Sequence, residues 1–130
     1  MPKTLITVLF VCGTLLASSV TYAGLVGYNP VSIWTDGSGQ TNANGTLRDV
    51  RNSADSTQYI GCSRYAYDTG SNSIVCYARD AYGNYVSCWT GDDNMLRVAE
   101  TLNPAAYLYF VVNADGSCDR VITVLASFNM

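Results

Sequence analysis

The chain has 130 residues and a mass of 14.0 kDa, the size of one domain. Apolar residues make up 48% and charged residues only 13%, with a formal charge of −3, so a core is affordable and nothing draws the chain to nucleic acid or an anionic membrane. Histidine is absent, which removes the commonest general base and the commonest metal ligand together.

Residues 1–23 have the pattern of a secretory leader: Lys3 as the positive end, an apolar run from 5 to 17 too short to span a bilayer comfortably, then small and polar residues to Ala23. Val11 precedes Cys12, where lipidation would want a small residue. Cleavage after Ala23 leaves a single β-rich domain, 24–130, outside the cell or in the periplasm, with no lysine and no stable membrane insertion. Six arginines then face ten acids, a net of −4, and Glu100 is the sole glutamate. Four cysteines stay with this part: Cys62, Cys76, Cys88 and Cys118. An even number in an exported chain predicts two disulfides. Their spacing lacks the short knuckle of a zinc site, and no metal or other cofactor is expected.

Residues 24–45 are polar and rich in turn formers, which suits a flexible N-terminal arm. Within them Val31, Ile33 and Thr35 alternate with Ser32 and Trp34, so 30–35 reads as a first strand. Asp36 to Gln40 reads as a flexible loop. The sequon Asn44-Gly45-Thr46 falls in what reads as loop. Residues 46–51 suit a short strand, although the three-residue spacing of Leu47 and Val50 also suits a helical turn.

Three segments, 58–67, 73–80 and 84–90, carry β-formers in alternation. Between them lie Asp68, Thr69 and Gly70, then Ala81, Tyr82 and Gly83. Three-residue hairpin loops favour glycine last, where φ is positive. Turns centred on Thr69 and Tyr82 put Cys62 opposite Cys76 and Cys76 opposite Cys88. By the two-residue period, Ile60, Cys62, Ala66, Ile74, Cys76, Ala78, Val86 and Cys88 share one face. Tyr59, Tyr65, Tyr67, Val75, Tyr77, Tyr85 and Trp89 share the other. Arg64 and Arg79 are expected on the aliphatic face or its rim.

Met95, Leu96, Ala99 and Leu102 then recur at helical spacing, with Asp92 or Asp93 as N-cap and Asn103-Pro104 as the stop. One helix is predicted at 94–102. Segments 107–113 and 117–128 flank Ala114, Asp115 and Gly116 as a further hairpin. Leu108, Phe110, Val112, Cys118, Ile122 and Val124 are expected on one face, and Tyr107, Tyr109 and Val111 on the other. Two disulfide pairings remain open. They are Cys62–Cys76 with Cys88–Cys118, which is favoured, and Cys76–Cys88 with Cys62–Cys118. Cys62–Cys88 would have to skip a strand.

The fold class is therefore mostly β: a small antiparallel β-sandwich or open barrel of about six or seven strands with one short helix and two disulfides. Catalysis finds little support, with no histidine, no lysine after the leader and no nucleophile motif, so the chain is read as a non-enzyme. The functional lead is the aromatic face of Tyr59, Tyr65, Tyr67, Tyr77, Tyr85 and Trp89. Core packing is the commoner fate of such a stripe. An exposed stripe would instead be a stacking platform for a glycan or a protein surface. The alternatives are a self-associating filament or coat subunit, and a disulfide-braced hydrolase inhibitor probing with the 81–84 loop.

Overall fold

A computed structural model describes residues 27–126. The proposed leader, with Lys3 and Cys12, and the end of the last predicted strand (127–128) lie outside the described residues. Among the described residues seven strands form two antiparallel sheets. The first sheet is built from both ends of the chain: β1 (Ser32–Thr35), β2 (Thr41–Thr46), β6 (Tyr107–Val112) and β7 (Cys118–Val124), in that spatial order. The second is the meander β3 (Tyr59–Ala66), β4 (Asn72–Arg79) and β5 (Tyr85–Thr90). Helices α1 (Leu47–Arg51) and α2 (Asp93–Ala99) join the sheets. Among the described residues no helix is long and apolar enough to cross a membrane.

Four hairpin turns share one design. The residue opening each turn is followed three positions later by glycine at φ 82–88°: Gly39, Gly70, Gly83 and Gly116. The turns close through backbone bonds from Asp36, Tyr67, Asp80 and Asn113 N–H to the carbonyls of Gln40, Ser71, Asn84 and Ser117, at 2.9–3.0 Å. Only glycine takes this left-handed conformation without penalty. The 36–40 segment is thus an ordered hairpin turn rather than the flexible loop its composition suggested.

The meander register is the predicted one. Cys62 lies opposite Cys76, and Cys76 opposite Cys88. The bonds are Cys62–Cys76 and Cys88–Cys118, the favoured pairing. The first links neighbouring strands across a narrow pair whose Cα atoms are 4.0 Å apart. The second joins the two sheets. Ile60, Ile74, Cys76, Ala78 and Cys88 meet Ala43, Leu108, Phe110, Val112 and Val121 in one core.

Five expectations need correction. The polar segment before residue 46 is not an arm over its described length: β2 pairs with β6, and Ala43 is fully buried. It is also tied down upstream, where Asn29 N–H donates to the Asp49 carboxylate and Val31 N–H to the Gln58 side-chain oxygen Oε1, each at 2.9 Å. Composition misled because the neighbours across the sheet, not the strand itself, supply the apolar cover. Asn44 accordingly sits within β2, not in a loop. Among the described residues there are two helices: Leu47–Arg51 is helical because Val50, three residues on, is the side chain that turns into the core. Helix α2 ends at Ala99, short of the predicted 102; Thr101 and Leu102 N–H bond back three residues, to Val98 and Ala99, in a tightened last turn. Asp92 caps its start as expected, accepting from Asn94 and Met95 N–H at 2.9 and 3.0 Å.

The fifth correction concerns β7. Val112 lies opposite Cys118 but Val111 lies opposite Arg120, so Asp119 is an extra residue. Such a bulge inverts the parity of everything beyond it. Val121 therefore turns inward, while Ile122 and Val124 join Tyr109 and Tyr107 on the outer side.

Thr46, the residue preceding α1, is fully buried, yet its hydroxyl makes no cap bond and has no partner among the described residues. An unsatisfied buried hydroxyl costs free energy that an apolar side chain of similar shape does not. Thr46→Val should raise stability by about 1 kcal/mol, read as a higher urea midpoint at unchanged slope.

Two carboxylates brace the N-terminal half. Asp36 is held near a pKa of about 2, below its ordinary 3.8, chiefly by the Ser38 hydroxyl and then the Asn42 amide. Asp55 is held at about 2 by the Gln58 side chain, then by the backbone N–H groups of Gln58 and Thr57. A carboxyl whose pKa is lower folded than unfolded stabilises above its unfolded value, and this is lost as pH falls through the folded value. Melting temperature should therefore be level from neutral pH down to about 4 and fall between about pH 4 and pH 2. Asp36→Asn with Asp55→Asn should flatten that limb; an unchanged limb would refute the assignment.

Candidate functional site

The aromatic side of the meander faces solvent. Strand pairing sets four rows across it: Tyr59, Arg79 and Tyr85; then Gly61, Tyr77 and Ser87; then Ser63, Val75 and Trp89; then Tyr65 and Ser73. Successive rows are about 7 Å apart and neighbouring strands about 4.8 Å. The rings thus line a gently twisted surface roughly 20 Å long. Its opposite side is the aliphatic core face, so the same alternation that buries Cys76 and Ala78 lifts Val75, Tyr77 and Arg79 outward.

The rings are not equivalent. Tyr59, Tyr77 and Tyr85 form one cluster, with Tyr59 edge-on to Tyr77 at 6.0 Å between centroids and tilted against Tyr85 at 6.4 Å. Tyr77 is half-buried because it lies over Gly61, whose missing side chain leaves room for the ring. The Ser63 hydroxyl lies 3.3 Å from the Tyr77 hydroxyl and donates to it. Trp89 stands in the next row beyond Tyr77 and is 59% exposed, with Val75 as its cross-strand neighbour. Its backbone is fixed from the other sheet: Trp89 N–H donates to the Gly116 carbonyl at 3.2 Å, one residue from Cys88 of the inter-sheet disulfide. Tyr65 is exposed at the far end of β3, and exposed Tyr67 opens the β3–β4 turn rather than lying in a strand. Five of the six predicted rings therefore occupy one side of the strands, with Tyr67 in the turn, and only Tyr59, Tyr77 and Tyr85 touch.

Arg79 belongs to this surface, not to the aliphatic side or its rim. Its register places it between Tyr59 and Tyr85, and the odd-numbered parity of β4 runs through it. It is exposed and its Nε donates to the Gly83 carbonyl. Arg64 does lie on the aliphatic side, where the sheet runs into solvent, paired with Glu100 just beyond α2. Arg79 is thus the sole charged side chain at the outward positions of these strands; Ser63, Ser73 and Ser87 supply hydroxyls.

Two aromatic features escaped sequence reasoning. Tyr82, at the tip of the β4–β5 hairpin, is 92% exposed and adjoins the Tyr85 end of the surface. Its place in the turn was legible; its value as a ring was not counted. On the outer side of the other sheet Trp34 stacks on Tyr109 at 6.2 Å and 11°. The Tyr109 hydroxyl donates to Asn42 at 2.6 Å. That pair needs β1, β2 and β6 in register, which local alternation cannot specify.

The side chains of the polar 113–119 segment are taken up by the turn and its neighbours: the Gln40 side-chain amide donates to Asn113 Oδ1 at 2.7 Å. Asp115 accepts from both the N–H and the hydroxyl of Ser117, at 2.9 and 2.6 Å, and Asp119 pairs with Arg120. Ser117 lowers the pKa of Asp115. These are turn roles.

No family model matches the chain, and neither a curated protein nor a solved structure resembles it.

Proposed function

We propose that this is an exported, non-enzymatic recognition module whose ligand is a glycan docked on the ring surface of the meander. The observation that carries the reading is a sheet side with exposed Tyr59, Tyr65, Tyr85 and Trp89 and a single charged residue, held on a disulfide-bonded scaffold. Sugar rings present apolar C–H faces, whose hydrogens suit the electron-rich faces of tyrosine and tryptophan. The serine hydroxyls and the Arg79 guanidinium offer hydrogen bonds between the rings. Rigid aromatic side chains bring large contact area at small entropic cost. The two disulfides support an oxidising, extracytoplasmic compartment.

A glycan array probed with the labelled protein, followed by calorimetry on the best hit, tests the reading. Binding that is saturable and abolished by Trp89→Ala with Tyr85→Ala supports it. Capture of a protein with no glycan dependence, through the same rings, would replace the ligand class; self-association through them would favour the structural subunit instead.

A further inference from the structure

The four sheet edges are not equally protected. Strand β1 is only four residues long, and β7 carries the Asp119 bulge. Strand β5 is covered at Trp89 by the β6–β7 turn. Short strands, bulges and covering loops are the usual means of blunting an edge. Strand β3 has neither a bulge nor a proline: it is eight residues long and regular, meets α1 beside Ile60 and Cys62, and its one charge, Arg64, is neutralised by Glu100.

Which backbone groups of β3 are free follows from the hairpin. Tyr67 N–H bonds to the Ser71 carbonyl, so the hydrogen-bonded pairs with β4 run through Tyr65, Ser63 and Gly61. Cys62, Arg64 and Ala66 alternate with these as non-bonded pairs, in keeping with the close Cα approach of Cys62 and Cys76. Their N–H and C=O groups point away from β4, and none has a partner among the described residues.

A cleft of about 450 Å³ adjoins this edge. Leu47, Ile60, Leu102 and Pro104 supply its apolar lining, with Cys62 and Tyr77 beside them. Arg51, exposed, also lines it, and is the only arginine of the described residues whose side chain has no hydrogen bond or ion pair. An open edge supplies main-chain bonds, and a neighbouring pocket selects a side chain two residues apart from the next.

We propose that the free edge of β3 and the cleft beside it form a docking site for an extended peptide segment, in which an apolar side chain enters the cleft and an acidic one two residues on meets Arg51. The segment adds as a fourth strand of the meander, through the backbone of Cys62, Arg64 and Ala66. The cleft borders the ring surface at Gly61 and Tyr77, but strand addition through the β3 edge does not depend on the glycan reading.

The test uses the full chain, isotopically labelled, with acetylated and amidated peptides Thr-Val-Thr-X-Thr-Asp-Thr in which X is Leu, Phe or Met. Binding of at least one should slow amide hydrogen exchange of Cys62, Arg64 and Ala66 by tenfold or more, and leave Ser63 and Tyr65 unchanged. Methylating alternate peptide nitrogens should abolish the protection, and Arg51→Glu should weaken binding about tenfold while leaving the melting temperature alone. Three results would overturn the proposal: no protection at millimolar peptide, protection unaffected by methylation, or protection without peptide that rises with protein concentration alongside a dimer in sedimentation. The last would make a second copy the occupant.

Discussion

Replacing Cys88 and Cys118 together by alanine is expected to cost about 4 kcal/mol of stability, against about 3 kcal/mol for Cys62 with Cys76. The difference follows from the loops closed: the sequence separations are 30 and 14, and the entropy a cross-link removes from the unfolded chain grows with the logarithm of loop length. Location reinforces it. Cys62–Cys76 staples two strands that already share a full ladder, whereas Cys88–Cys118 ties β5 to β7 of the other sheet, which share no ladder; the isolated bridge nearby joins Trp89 to Ser117 of the β6–β7 turn. Cys88 and Cys118 are both buried, so their removal also withdraws packing where the sheets meet. A domain of this size commonly has about 5–15 kcal/mol in total. The variant should therefore unfold at a much lower guanidinium concentration and lose cooperativity between the sheets. Titrations giving a loss under about 1 kcal/mol, or the reverse order of the two pairs, would show that the sheets are held by their core alone.

What the sequence revealed about this fold depended on local rules that the tertiary structure left undisturbed. A turn glycine three residues after the opening residue centres each hairpin, and centring fixes register. This is why the Cys62, Cys76 and Cys88 row and the two sides of the meander could be read directly. The same rule failed in β7 because Asp119 is inserted after the turn, and no residue type marks a bulge of this kind. It was not applied to 36–40, where two glycines and a polar β2 looked like a flexible segment. Ala43 and Asn42 are buried because β1 and β6 flank them, and β6 arrives more than sixty residues later in the chain. The aromatic side shows a further limit. Alternation sorts side chains into two sets, but which set meets water depends on where the second sheet lies. Here the other sheet covers the aliphatic set, with Phe110 and Leu108 against Ile74 and Cys76. Packing, the commoner fate of an aromatic stripe, is not what these tyrosines do.

That exposure separates binding from folding, and Trp89→Ala is the substitution in which the separation should be widest. With 59% of its surface in water, Trp89 contributes little to the core, so its loss should cost under about 1 kcal/mol of stability. A ring at the centre of a recognition surface is commonly worth about 2 kcal/mol or more, so affinity for the array-identified glycan should fall roughly thirtyfold. Tyr77→Ala provides the contrast. Its ring covers Gly61 and packs edge-on to Tyr59, so it should lose about 1–2 kcal/mol of stability along with affinity. Tyr85→Ala should resemble Trp89→Ala, since Tyr85 is 55% exposed. Arg79→Gln, which retains hydrogen-bonding capacity but removes the charge, should weaken a neutral glycan only slightly and an acidic one by about tenfold. Calorimetry paired with thermal melts of each variant measures both quantities. If Trp89→Ala and Tyr85→Ala bind within threefold of the unaltered protein, the ring surface is not where the ligand sits, whatever their melting temperatures.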